Sequence, residues 1–348
     1  MAHTIVGVDF ADGVIRAAEL GGAQRRRVLE RYSEIAVPEG AIVRGEVMEP
    51  HTVATVLKQL WAQGGFGSKQ IAIGIGNHRV LARELTVPKA SRQRIREALP
   101  HQVQEMIPMP VADALLDFYP VAEVDSEHGP QVQGLLVAAA KDAVLGNIRA
   151  AKLAGLSTVE VDLIPFALSR VYLQGPDAAG TVALIEIGGS TTSVVIARDG
   201  VPQFIRIIPS GSDQITHELS RRLELPPAQA EHLKRGIGLS VTPVAPENQR
   251  ALETIYEVAG ELLTSLRNTI SYFTNTRPEQ PVQRILLAGG GALLPGCERA
   301  VTEVTRVPAV MVDPLNGIEL SHKIDEAALR ANQPNLAVAL GLTLGMAA

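Results

Sequence analysis

Glu186, Gly188, Gly189, Ser190, Thr191 and Thr192 set an acid, two glycines and three hydroxyls into one short stretch between two apolar runs, VALIEIGGSTTSVVIARD. Glycines permit a tight turn in which backbone N–H groups converge, and the hydroxyls beside them add short donors. Such a concave donor set is a cradle for a phosphate oxyanion, and an acid at the strand end suits a Mg²⁺ bridged through water. An ordinary hairpin turn uses the same residue types, so the surroundings have to decide. Near the start, Thr4 to Asp9 (TIVGVD) repeats the plan: a strand ending in an acid, a turn over Phe10 to Gly13, and a returning strand, Val14 to Leu20. An internal duplication is the economical explanation. A third glycine set, Gly289, Gly290 and Gly291, lies between a predicted strand at Pro281–Ala288 and a helix. Glycines there let the backbone approach a flat or anionic ligand, although close strand–helix packing favours them too.

These residues need strands to carry them and helices to cover the strands. The chain has 348 residues, enough for two domains with sizeable cores. It is 46% hydrophobic and 20% charged, a globular balance. The formal net charge is −5, and the densest basic cluster, Arg25-Arg26-Arg27, falls where a hairpin loop belongs, so nucleic acid is not an expected partner. Cys297 is the single cysteine, which rules out an internal disulfide, and it reads as a small packed residue after a Pro-Gly turn. No signal pattern opens the chain, and no run reaches the roughly 18 apolar residues of a spanning helix. A cytoplasmic location is expected.

In order, Val28–Val37 extends the first sheet, apolar spacing at Val53, Val56, Leu57 and Leu60 predicts a helix over His51–Gln63, and Ile71–Ile75 and Leu81–Val87 read as strands. A different texture begins at Pro88. A helix capped by Ser91 is expected to run on through Val103 and Met106, kinked or broken by Pro100, followed by strands at Leu115–Val124 and Gln131–Ala140. This block reads as a small helix-plus-sheet insert. Helices follow at Asp142–Ala154 and Pro165–Leu173 around a strand, Val159–Ile164. The second half brings a strand at Phe204–Ile208, helices at Asp213–Leu223 and from Pro226–Pro227 through His232, the amphipathic helix Gln249–Thr274, a short strand at Pro308–Val312, and a closing helix at Asn335–Met346.

The order of pieces is more specific than any one of them. A strand–acid–turn hairpin, a second at Glu186, then LLAGGGALLPG at 286–296 and NLAVALGL at 335–342 resemble the actin-like ATPase superfamily, which also holds sugar kinases and Hsp70 chaperones. VPKASRQRIREALPHQVQEMIPMPVADALLDFYPV at 87–121, VDLIPFAL at 161–168 and AEHLKRGIG at 230–238 narrow the resemblance to the PilM family of type IV pilus assembly proteins, over essentially the whole chain. The resemblance implies an α/β, two-lobed actin-like (ribonuclease H-like) fold with a small α+β insert. Its expected subdomains are 1A at 1–87 and 162–180, 1C at 88–161, 2A at 181–211 and 282–348, and 2B at 212–281. It implies ATP with Mg²⁺ as ligand. Asp9 and Gly13 would lie in the first phosphate loop; Glu186, Gly188, Gly189, Ser190, Thr191 and Thr192 would form the second. Gly289, Gly290 and Gly291 would pass beside the adenosine, and Lys234 would touch ribose or base; read alone, Lys234 is a solvated helix residue. Asp9 and Glu186 would position Mg²⁺ through water. The insert implies a groove for the cytoplasmic N-terminal tail of the membrane protein PilN, with Leu115, Phe118 and Tyr119 as edge candidates, ordinary sheet core being the plainer reading of Leu115. Attachment to the inner face of the cytoplasmic membrane would come through partners, and self-association stays open.

Two departures bear on activity. The first loop reads Phe10-Ala11-Asp12-Gly13 where the family carries serines, and Asp12 adds negative charge beside the expected phosphates. Glu186 stands where an aspartate is usual, and its longer side chain would move a metal-bound water. Weak nucleotide binding and slow or absent hydrolysis are the expectation. Two alternatives remain open: a small-molecule kinase, whose general base would be Asp162, and a filament protein like FtsA, although the amphipathic membrane helix that ends such proteins has no counterpart in Gly345-Met346-Ala347-Ala348.

Overall fold

The computed structural model describes residues 4–23, 26–127, 129–241, 244–331 and 335–345. The chain divides into two compact units, Met1–Val171 with Val201–Ile207 and Pro314–Ala348, and Tyr172–Gly200 with Ile208–Asp313. Of the basic cluster, Arg25 lies outside the described residues and Arg27 stands in a strand.

In the first unit, β1 (Val6–Ala11) and β2 (Val14–Ala23) form a hairpin closed by the two-residue turn Asp12-Gly13, with Gly13 at φ 71°. β3 (Arg26–Ala36) continues it, and a miniature hairpin, β4 (Ile42–Val43) and β5 (Glu46–Val47), precedes α1 (Pro50–Gly64). That helix starts with proline in its first turn, where the missing N–H costs nothing, and ends at Gly65 in the left-handed conformation. Its Val53, Val56, Leu57 and Leu60 are buried against Val8, Ile15 and Ile73. β6 (Gln70–Ile75) lies parallel to β1.

The insert is β7 (Val80–Pro88), α2 (Arg92–Gln102), β8 (Ala114–Ser126) and β9 (Gly129–Ala140), with an antiparallel sheet in the order β7-β9-β8. Ser91 caps α2 by accepting from the Arg94 N–H at 3.4 Å. The helix accommodates Pro100 and stops at Gln102, rather than continuing through Met106, with the Val103 N–H still reaching Leu99 O at 3.0 Å. Ile95 and Leu99 pack with Leu136 and Phe118 into a core of the insert's own. The chain then runs through α3 (Lys141–Leu153), β10 (Ser157–Leu163), parallel to β6, and α4 (Ile164–Tyr172).

The second unit repeats the pattern. β11 (Thr181–Ile187) and β12 (Thr192–Arg198) form a hairpin, and after β13 (Val201–Ile208), all but the last residue of which groups with the first unit, α5 (Ser212–Leu223), α6 (Pro227–Ile237) and α7 (Gln249–Thr276) follow. β14 (Arg284–Ala288) pairs parallel with β11, and after α8 (Cys297–Thr305) β15 (Ala309–Met311) pairs parallel with β14. Each unit therefore holds an antiparallel hairpin whose first strand feeds two successive parallel strands. Val182 to Ile185 have no exposed surface, as expected for a strand covered on both faces. Cys297 is buried, and burial pushes its thiol up to about 11, the behaviour of a packed residue.

The last segment corrects the expected boundaries. Residues 314–348 group with the first unit, not with the second: β16 (Ile318–Leu320) pairs parallel with β3, and after α9 (Glu326–Ala331) the closing helix α10 (Ala337–Thr343) packs on the β1 side of that sheet. Residue Met346, expected in that helix, lies outside the described residues.

Glu160 on β10 carries an unusual cost. One carboxylate oxygen is buried without a hydrogen-bond partner among the described residues, and burial, then the like charge of Asp162, raises its pKa. A carboxyl raised on folding gives stability below its unfolded pKa that is lost as pH rises through the folded value. Glu160→Gln is therefore expected to melt at a higher temperature than the parent at pH 7. The difference should vanish below about pH 4, as measured by thermal unfolding across that range.

Candidate functional site: a glycine hub in the second unit and a charged ladder in the first

The β11–β12 turn is a four-residue loop, Gly188 to Thr191, closed by a bond from the Gly188 N–H to the Thr191 carbonyl at 2.9 Å. The N-terminus of α5 docks on this loop: Ser212 N–H donates to Gly188 O and Asp213 N–H to Gly189 O, each at 2.9 Å. That approach needs glycine at 211, since a Cβ there would stand 2.6 Å from the Gly188 oxygen. Gly289, at φ 87°, brings the third glycine set to the same place; a Cβ on it would lie 2.7 Å from Glu186 Oε1. A Cβ on Gly291 would stand 3.1 Å from Ser212 Cβ. Three backbone segments and the Glu186 carboxylate thus meet at one hub, with Ser190, Thr191 and Gly290 reaching solvent.

Thr192 is placed differently from the other hydroxyls. It is fully buried, and its Oγ1 donates to the Ser210 carbonyl at 2.8 Å, clamping the loop rather than lining it. Lys234 is not a solvated helix residue: it is buried, donates to Ser212 O at 3.2 Å and pairs with Glu231 at 2.6 Å, tying α6 to the start of α5. Burial pushes the Glu231 carboxyl up, but bonds from Lys234, Thr216 and Arg235 outweigh it and hold it at about 2. Asp213, absent from the sequence-based candidates, is exposed and lies on the hub: a Cβ on Gly189 would stand 3.0 Å from its Cγ and 3.3 Å from Oδ1.

In the first unit Asp9 is buried and faces Arg16 directly across the hairpin, with Nη1 to Oδ2 at 3.3 Å. Arg16 in turn faces Glu34 on β3, Nε to Oε2 at 3.4 Å, and the Tyr32 hydroxyl donates to Glu34 at 2.8 Å. Acid, base and acid form a ladder on one face of three strands. Burial pushes the Asp9 carboxyl upward and Arg16 opposes it. Asp12, at the turn, accepts the Gly45 N–H at 3.4 Å, which engages part of its charge with the β4–β5 hairpin.

The glycine hub suits a polyphosphate: backbone lies at the surface, hydroxyls flank it, and bulk is excluded by geometry. Direct metal ligation fits less well. Among the described residues no group of three or more His, Cys, Asp and Glu side chains converges to hold a metal ion, and Asp9 already carries a guanidinium.

The expected partner residues split by alternation along β8. Phe118 faces α2 within the insert core, whereas Leu115, on the opposite face, is 41% exposed, the reverse of its plainer reading as core. Tyr119 stacks on Phe166 of α4, ring centroids 4.6 Å apart. Asp162 is ion-paired with Arg170, a structural engagement at odds with service as a kinase base.

The paired sheet units define an actin-like ATPase fold. The chain superposes on the MreB5 protein of Spiroplasma citri bound to AMPPNP with a TM-score of 0.53 and 13% identity, over 96% of this chain and 99% of the other. Within that class, the family model for type IV pilus assembly protein PilM matches residues 7–346, and the chain belongs to that family. A solved PilM–PilN type IV pilus biogenesis complex aligns with a TM-score of 0.83 and 26% identity, over 98% of this chain and 97% of the other. Among curated proteins, cell division protein FtsA of Bacillus subtilis (strain 168) is 20% identical over 297 residues, 75% of this chain and 68% of that protein. FtsA of Borreliella burgdorferi is 28% identical over 221 residues, 57% of this chain and only 50% of that protein.

Proposed function

We propose that this chain is a nucleotide-binding component of the type IV pilus assembly platform that takes the cytoplasmic N-terminal tail of a PilN-type membrane protein. The observation that carries the partner half is the insert sheet, whose outer strand β8 presents the exposed Leu115 beside a Tyr119 held by Phe166. An outer strand supplies unpaired backbone groups to an extended peptide, and alternate side chains give it specificity. Among the described residues no helix is long and apolar enough to cross a membrane, so on this reading the platform's inner face is reached through the partner. Leu115→Asp leaves both cores untouched. It is expected to weaken binding of a synthetic PilN tail peptide at least tenfold in calorimetry with an unchanged melting temperature; equal affinity would remove β8 from the interface.

The nucleotide half rests on the glycine hub, and ATP would bias the partner-binding conformation only through a difference in affinity between states. Gly290 is the exposed member of its set, so Gly290→Asp adds a negative charge at the surface of the hub. It is expected to abolish the calorimetric heat of ATP seen with the parent chain. Undiminished binding would place the nucleotide elsewhere. With Asp162 paired to Arg170, the kinase alternative lacks its base.

A further inference from the structure

We propose that the outer face of α1 and α3 docks directly on an anionic lipid bilayer. The inference goes beyond the tail reading, which reaches the platform through a partner, and does not depend on it. Val53, Val56, Leu57 and Leu60 of α1 share one apolar cluster with Ala150 and Ala151 of α3, so the two helices cover the same side of the first unit's sheet. Away from that core they carry Lys58, Arg149 and Lys152, all exposed and none with an ion-pair partner among the described residues. The exposed Lys69 joins them at the far end, where its carbonyl accepts the Ser157 N–H just beyond α3 at 2.8 Å. α1 contains no Asp or Glu, and α3 contains none after Asp142, which Arg79 holds. Glu49 borders the face at the start of α1 and accepts the Thr52 hydroxyl at 2.8 Å. In a chain of formal net charge −5, a two-helix face with these cations and no acid within it reverses the sign locally.

Apolar side chains accompany the cations. Gly146 of α3 lets the β4–β5 hairpin come close, since a Cβ on it would stand 2.7 Å from Val47 O. Asn147 locks that contact: it accepts the Val47 N–H and donates to Gly45 O, each at 2.9 Å. The chain neighbours of the two residues in contact, Met48 and Leu145, are 60% and 58% exposed. Along α3, Leu145, Arg149 and Leu153 follow at four-residue spacing and form one exposed stripe. This mixture suits the surface of an anionic bilayer, where head groups meet the cations and apolar tips enter the acyl boundary. A nucleic acid would meet the charge and leave the leucines and the methionine in water.

The test is cosedimentation of the full chain with vesicles of phosphatidylcholine alone and of phosphatidylcholine with phosphatidylglycerol in roughly equal parts. The parent should sediment with the mixed vesicles only, and less as salt is raised. Arg149→Gln/Lys152→Gln should weaken that binding at least tenfold at an unchanged melting temperature. Arg92→Gln/Arg94→Gln, the same change of net charge on exposed residues of α2, should keep it. Leu145→Ser should weaken it about threefold or more, because an apolar tip is lost with every charge retained. A parent that ignores both kinds of vesicle overturns the inference, and so does equal loss in the two charge variants, which would trace binding to net charge. Undiminished binding by Leu145→Ser, or duplex DNA bound as tightly as the mixed vesicles, would make the face a general polyanion site and overturns it too.

Discussion

Gly7→Val is expected to remove at least about 3 kcal/mol from the stability of the first unit, beyond the ~1–3 kcal/mol of ordinary overpacking. Gly7 is the second residue of β1, and a Cβ on it would run into the Ala339 carbonyl of α10 and stand 3.0 Å from Leu342 Cβ. The obstacle is helix backbone, which has no rotamer to change. Either the strand or the whole of α10 must move, and α10 buries Leu340 and Leu342 against the sheet. Leaving that face open forfeits the burial of large side chains, each worth about 1.5–3 kcal/mol. Urea denaturation of the variant should show a midpoint shift of that size, with Ala339→Gly giving no rescue because the carbonyl remains. A loss under 1 kcal/mol would mean that the terminal helix does not close the sheet.

The same contact explains why the chain's division was hard to read. The strand–acid–turn hairpins and the glycine runs were legible because their signals are local: an apolar run, an acid, then Asp12-Gly13 or Gly188-Gly189. The return of the last segment to the first unit has no such signal, since β16 is three residues long and its pairing with β3 spans nearly the whole chain. Asp213 escaped for a related reason: only the docking of α5 on the Gly188–Gly189 carbonyls brings it to the hub. Phe118 and Leu115 are three residues apart, so the strand period puts them on opposite faces, and only the packing of α2 decides which face is core. The Asp9–Arg16 pair, by contrast, was available in the sequence. A two-residue turn at 12 and 13 sets Ala11 opposite Val14 and therefore Asp9 opposite Arg16. A buried acid answered by arginine at the paired position is a reason to expect a neutralised ladder before a metal ligand.

That ladder supplies the second large effect. Arg16→Met keeps the length of the side chain and removes its charge, leaving Asp9 buried and unpaired, with its side chain only 9% exposed. Removing one partner of a buried pair typically costs about 3–5 kcal/mol, because the remaining charge has neither water nor a counterion. Glu34 is less affected, since its carboxylate is 30% exposed and keeps the Tyr32 hydroxyl at 2.8 Å. The loss should therefore trace to Asp9. The double variant Asp9→Asn/Arg16→Met is expected to recover at least half of it, because the uncompensated charge is gone and the side-chain volumes are kept. Chemical denaturation of the four proteins closes a double-mutant cycle on the pair. A coupling of about 2 kcal/mol or more places the charge balance of the first loop in Arg16. If Arg16→Met unfolds no more easily than the parent, the arginine does not carry the charge balance of Asp9, and the ladder is not what holds that acid.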